Sequence, residues 1–119
     1  MELQKKHVEP GISVLEMAGS IHMGPECERI DKEIEEQLRL NNTRVVFDLT
    51  RVTHIDSAVV GMIVRSHSRL KKSGGALRLA VGTSMVERVL KMMSVHKVIP
   101  LYPTAADACA GFAPEKIEP

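Results

Sequence analysis

Between Asp48 and Ser57 the chain gathers the groups best able to do chemistry. Asp48, His54 and Asp56 crowd one short segment that ends at the Ser57 hydroxyl. A carboxylate, an imidazole and a hydroxyl are the parts of a base-activated nucleophile. Each also fits a plain local role: Asp48 closes an apolar run, Asp56 caps a helix, His54 faces solvent. Ser57 itself has the chemistry of an N-cap, a contact worth about 0.5 to 2 kcal/mol of helix stability. No G-x-S-x-G elbow surrounds Ser57, so a hydrolase nucleophile of that kind is not expected. The local roles are preferred, and the chain is read as a non-enzyme.

Other chemistries find still less support. Neither G-x-x-x-x-G-K-[ST] nor a G-x-G-x-x-G after a strand occurs, so a phosphate cradle of either common kind is missing and no cofactor is expected. His7, His22, His54, His67 and His96 fall in different elements without paired spacing, and no metal site is expected from them. His67 is the histidine expected to be partly buried. Cys27 and Cys109 are too few for a disulfide scaffold and lack metal-ligand spacing; they read as small core hydrophobes in a reducing cytoplasm. The apolar run Ala58 to Val64 stops at Arg65, far short of a membrane span, and MELQKKHVEPG is unlike a signal peptide. Aromatic residues make up 3% of the chain, which leaves almost no stacking platform for single-stranded nucleic acid.

These residues must be positioned by the elements around them, and at 119 residues with 44% hydrophobic content the chain is expected to form one domain with a proper core. Leu3 to Val8 reads as an edge strand, Pro10-Gly11 as a turn, and Ile12 to Gly19 as a second strand, together a hairpin. Gly24-Pro25 with Glu26 and Glu28 starts a helix whose inner face is Cys27, Ile30, Ile34 and Leu38. Val45-Val46-Phe47 is a strand buried on both faces and ended by Asp48, with Val52 and Ile55 plugging a following loop. Ser57 to about Lys72 forms the next helix, with Val60, Ile63, Val64, His67 and Leu70 at helical spacing, stopped at Gly74-Gly75.

Ala76 to Val81 is the strand after it. Ser84 and Glu87 form a capping box for a third helix with inner residues Val86, Val89, Leu90 and Met93. Val98 to Leu101 is a last strand. Thr104 and Asp107 repeat the capping spacing for a final helix carrying Ala105, Ala108, Cys109 and Phe112. The alternation implies a largely parallel sheet with right-handed crossovers, made mixed by the hairpin; whether the helices cover mainly one face is left open by periodicity. The expected architecture is α/β: four to five strands and about four helices in the order β-β-α-β-α-β-α-β-α. The folded core is placed at 3–112 and a frayed tail at 113–119.

The stretch VVFDLTRVTHIDSAVVGMIV, residues 45–64, resembles the STAS family of anti-sigma factor antagonists. That family has an apolar strand ending in Asp-Leu, a short loop, then Asp-Ser-Ser/Ala-Gly-Leu-Gly. Asp48-Leu49 and Asp56-Ser57-Ala58-Val59-Val60-Gly61 occupy those places. The stretch from Leu70 to Ala108, with its glycine pair, Val-Leu-Lys-Met helix, Val-His-Lys-Val-Ile turn and Thr-Ala-Ala-Asp-Ala cap, resembles the family's C-terminal half. Gly19-x-Ile21 also fits, so the likeness covers nearly the whole chain.

The resemblance implies a bacterial cytoplasmic switch: a partner anti-sigma factor with serine kinase activity phosphorylates Ser57, and the unmodified protein binds that kinase to release a sigma factor. A phosphate at a helix N-terminus suits the dipole, and its charge of about −1.5 to −2 beside Asp56 opposes docking of an acidic or apolar surface. The expected partner surface is Asp56, Ser57, Ala58, Met62, Arg65 and Arg69, with His22, His54 and Gly61 adjacent to the switch. Two departures stand out. Val59 replaces the family's usual glycine and Val60 its leucine, adding bulk that could obstruct docking. His22 replaces a common acidic residue, and its protonated imidazole could pair with phosphate.

Residues 1–50 carry a net charge of −4 and residues 51–119 a net charge of +5. Arg65, Arg69, Lys71, Lys72, Arg88 and Lys91 could thus form a basic face that steers an acidic partner. No helix-turn-helix pattern accompanies these charges, so direct nucleic-acid binding is not expected. The alternatives are a non-phosphorylated STAS scaffold subunit, such as part of a lipid-transport ABC ATPase, and, third, a small-ligand or nucleotide-binding domain. A monomer or weak dimer is expected.

Overall fold

The computed structural model describes residues 1–82 and 85–112. Five strands form one sheet in the order β1-β2-β3-β4-β5. The hairpin β1 (Glu2–Val8) and β2 (Ile12–Ile21) is antiparallel, from Glu2 opposite Ala18 to Val8 opposite Ile12. β3 (Arg44–Ile55) lies parallel to β2, β4 (Ala76–Ala80) parallel to β3, and the two-residue β5 (Leu101–Tyr102) parallel to β4. Between them run α1 (Pro25–Arg39), α2 (Ser57–Lys72) and α3 (Met85–Met92), and α4 (Ala105–Ala110) follows β5. The element order is the expected one.

Alternation along the strands builds two unequal cores. Leu15 and Met17 of β2, Val45, Phe47 and Leu49 of β3, and Leu77 and Leu79 of β4 point to one face. There they meet Ile30 and Ile34 of α1, Val59, Ile63 and Leu70 of α2, and Val86 and Leu90 of α3. On the opposite face Ile12, Val14, Val46 and Ala80 pack with Ala108 and Phe112, so short α4 covers only part of it. Arg78 lays its guanidinium over the Phe112 ring at 4.8 Å, a cation–π contact that extends this smaller core.

Several boundaries differ from expectation for reasons visible in the packing. β3 does not end at Asp48; it continues to Ile55, because β2 also continues past Gly19 to Ile21 and supplies partners. The pairing is irregular. Register shifts fall between Asp48 and Arg51 and between Val52 and His54, each adding one residue to β3 relative to β2. Gly19, beside the second bulge, adopts φ +90°, a backbone conformation that residues with a side chain rarely take. Buried Leu49 is consequently followed by buried Val52, a spacing that strict alternation forbids.

Val98 is not in the last strand: it follows a 3-10 turn at Val95–Lys97 and is 57% exposed. Met93 is 47% exposed because α3 ends at Met92. Thr104 caps α4 as expected, its Oγ1 accepting the Asp107 N–H at 3.1 Å. The Ser84 cap and the 113–119 tail lie outside the described residues.

Two buried polar side chains find partners on other elements, while Ser66 Oγ donates locally to the Met62 carbonyl at 3.0 Å and the buried Arg78 Nε has no hydrogen-bond partner among the described residues. Ser13 Oγ donates to Gln37 Oε1 at 2.6 Å, which draws Gln37 of α1 fully into the interior. His67 of α2 is buried as expected, with Nδ1 accepting the Leu77 N–H at 3.4 Å. Burial holds its pKa below the ordinary 6.5, with Lys71 and Arg78 acting in the same direction. Cys27 is a core residue and Cys109 is partly buried; burial raises both thiols above their usual range.

Candidate functional site

The extended β3 delivers the chain to the start of α2 at the same end of the sheet where β2 turns into α1. Ser20 pairs with His54 and Ile21 with Ile55, and Ser20 Oγ lies 3.3 Å from Thr53 Oγ1. His22 and Asp56 therefore follow directly on adjacent strand ends, and both are exposed. The His22 N–H donates to Glu26 Oε1 at 2.8 Å, and Cys27 Sγ donates to the His22 carbonyl at 3.4 Å, fixing the β2–α1 turn beside the site. That N–H, with the Met1 amine, holds the Glu26 carboxyl below its ordinary pKa.

Asp56, not Ser57, is the N-cap of α2. Its backbone is extended (φ −108°, ψ 175°), and Oδ1 accepts the Val59 N–H at 2.9 Å. Ser57 becomes the first residue of the helix, exposed to solvent and relieved of the capping role. Asp48 is likewise engaged elsewhere: Oδ1 accepts both the Thr50 N–H at 3.0 Å and the Thr50 hydroxyl at 2.7 Å, next to the first bulge. Among the described residues no hydrogen bond links Asp48, His54 and Ser57, so the groups that crowd the sequence do not assemble into a base-activated nucleophile.

The other expected site residues separate cleanly by exposure. Asp56, Ser57, His54, His22 and Arg65 are exposed; Ala58, Gly61 and Arg69 are half-buried. Met62 is 1% exposed and joins the main core, so it is unable to contribute to a partner surface. The reason is the breadth of the inner side of α2. This helix packs on the strands and against α1 as well, and Val59, Met62, Ile63, Ser66, His67 and Leu70 are all buried. Val59 and Val60 point inward too, so their added bulk fills the core beneath the helix start rather than standing in the way of a docking partner.

Along the outer face run Ser57, Gly61, Arg65 and Lys72, with Arg69 at its margin. The first turn of α2 holds no acidic residue and the last turn holds Arg69, Lys71 and Lys72. Arg88 of α3 is exposed, whereas Lys91 is paired with Glu87 at 3.5 Å. No group of three or more His, Cys, Asp or Glu side chains among the described residues is placed to hold a metal ion. No helix among them is long and apolar enough to cross a membrane. A cavity of about 180 Å³ lined by Lys5, His7, Ser13, Gln37 and Asn42 sits at the other end of β2, remote from Ser57.

A sheet that ends its central strand on a capped helix start, with an exposed hydroxyl in the first turn, defines a small α/β domain. Residues 4–108 match the family model described as STAS domain, and the chain belongs to that family, one of non-enzymatic regulatory domains. A Thermotoga maritima protein named, provisionally, as an anti-sigma factor antagonist is 30% identical over 74 residues, 62% of this chain and 66% of that protein, just under two thirds of its length. A crystal structure of a Thermotoga maritima protein with the same provisional name superposes at a TM-score of 0.82 with 23% identity, covering 92% of each chain. The Bacillus cell fate determinant SpoIIAA, solved in its phosphorylated form, superposes at 0.72 with 17% identity, covering 92% of this chain and 98% of that one. At these identities the structural likenesses establish the fold.

Proposed function

We propose that this chain is an anti-sigma factor antagonist, working in the cytoplasm, whose binding to an anti-sigma factor with serine kinase activity is switched by phosphorylation of Ser57. The observation that carries the reading is the division of labour at the start of α2: Asp56 takes the cap, leaving the Ser57 hydroxyl exposed and, among the described residues, without a hydrogen bond. The names of the relatives, and the phosphorylated state in which one of them was solved, support it.

In the switch reaction the Ser57 Oγ attacks the γ-phosphorus of ATP. An Oγ–P bond forms, the bond from the γ-phosphorus to the bridging oxygen breaks, ADP leaves, and the hydroxyl proton passes to a base on the kinase. This protein supplies only a positioned acceptor. The unmodified surface docks through His54, Asp56, Ser57, Ala58, Arg65 and Arg69, and the new negative charge opposes that docking without a change of fold.

The test is incubation of the full chain with ATP, Mg²⁺ and the candidate kinase, followed by intact-mass and peptide analysis. One phosphate on Ser57 is expected; none, or one on another residue, overturns the assignment. Partner binding should survive in Ser57→Ala and fail in Ser57→Asp. If both variants bind like the unmodified protein, the helix is a passive docking surface and the scaffold reading takes its place.

A further inference from the structure

Ser57, Gly61 and Arg65 are spaced four residues apart and share one face of α2. Long helical side chains lean back over the preceding turn. The side chain one turn before Arg65 is the hydrogen of Gly61. Arg65 lies across it, so that a Cβ built on Gly61 would sit 3.6 Å from Arg65 Nη1. The guanidinium is thus brought to within one turn of Ser57, whose Cβ is about 5 to 6 Å from the equivalent point at Gly61. Arg65 is exposed, and among the described residues it makes no ion pair and no hydrogen bond. The nearest carboxylate along the helix, Asp56, is turned to the Val59 N–H instead.

We propose that Arg65 is the internal counter-ion of a phosphoryl group on Ser57. The inference rests on Ser57 as the acceptor and adds what receives the phosphate afterwards. A phosphoserine carries about −1.5 to −2 charges and three acceptor oxygens, and an arginine fork matches those oxygens better than any other side chain. Arg65 then acts twice. Before modification it is a free cation on the surface offered to a partner. After modification the phosphate draws it in, so the partner meets a new anion and loses a cation in one event. Gly61 lies beside that path, where a Cβ would be in ordinary van der Waals contact with Nη1, so the reach of Arg65 does not depend on glycine there.

The test uses the full chain with phosphoserine installed at position 57 by codon suppression, so no kinase is needed. The ³¹P resonance is followed against pH in this protein and in its Arg65→Gln and Arg65→Lys forms. Asp56 and His22 are present in all three, so their influence cancels in the comparison. The second ionisation of the phosphate is expected to fall lower with Arg65 than with glutamine by on the order of threefold, about half a pH unit, the discounted effect of an exposed opposite charge. Lysine is expected to restore part of the difference. Coincident midpoints for arginine and glutamine overturn the proposal. Unmodified Arg65→Gln should melt with the parent, since Arg65 is exposed, which excludes a folding defect as the source of a shift. A kinase that fails to modify Ser57 would count against the acceptor assignment alone, because this titration does not depend on it.

Discussion

The division between Asp56 and Ser57 is a residue-scale fact with a measurable signature. Asp56 closes the exposed end of α2 by accepting the Val59 N–H, while Ser57 makes no such contact. Asp56→Ala should therefore lower stability by about 1 kcal/mol, as loss of an N-cap does. Ser57→Ala should stay within about 0.5 kcal/mol of the parent. Urea denaturation of the two variants checks this, and a larger loss in Ser57→Ala would return the cap to serine. The residue types at this helix start were readable from the sequence, because Asp, Ser and an apolar periodicity mark an N-terminus without knowledge of the rest. The capping role of Asp56 is expected from the sequence and observed, while Ser57, which has the same chemistry, is left without it by the extended backbone at Asp56. Met62 shows a limit. Its exposure depends on α1 lying alongside α2, a contact that helical spacing within α2 does not reveal.

At the scale of elements, the hairpin, the alternation and the span of α2 follow from periodicity and turn residues. The run from Leu49 to Ile55 did not read as a strand because it mixes buried and exposed residues out of phase. The phase is broken by the two bulges, and a bulge is a relation between strands that no single strand encodes. Gln37 was missed for the same reason: its buried partner, Ser13, lies on another element. The passage from α2 into β4 is tighter. The Ala76 N–H donates to the Thr43 carbonyl at 3.0 Å, and a Cβ on Gly75 would collide with the Thr43 backbone. Gly75→Ala is expected to cost about 1 to 3 kcal/mol through displacement of the β3–β4 ladder start. Equilibrium denaturation measures it, and an unchanged midpoint would show that the two chains part easily.

For the whole molecule, His67 couples acid to global stability because it stands between α2 and β4. Its folded pKa lies below 6.5, so the folded state binds fewer protons than the unfolded chain. Its contribution is complete above the unfolded value and is lost as pH falls from about 6.5 toward the folded value. Stability should decline over that interval in the parent, and His67→Gln, which keeps an acceptor for the Leu77 N–H, should flatten the decline. Urea midpoints measured on either side of about pH 6.5 decide it; equal slopes in both proteins would remove His67 from the account. The charge contrast between the two halves of the sequence also takes a spatial form: the basic half contributes the outer face of α2, which carries Arg65, Arg69 and Lys72 past the proposed switch.

The paired bulges of β3 have one more implication, for how such a chain tolerates changes in its length. Two residues of this strand are surplus to its ladder with β2. The loss of one can be absorbed by straightening the strand at that bulge, which restores alternation there and leaves the same side chains facing the core. A strand without that slack would turn its inward residues out to solvent at the first deletion. The segment leading to Ser57 is thus a place where this chain can lose a residue and still present the next helix with its hydroxyl outward.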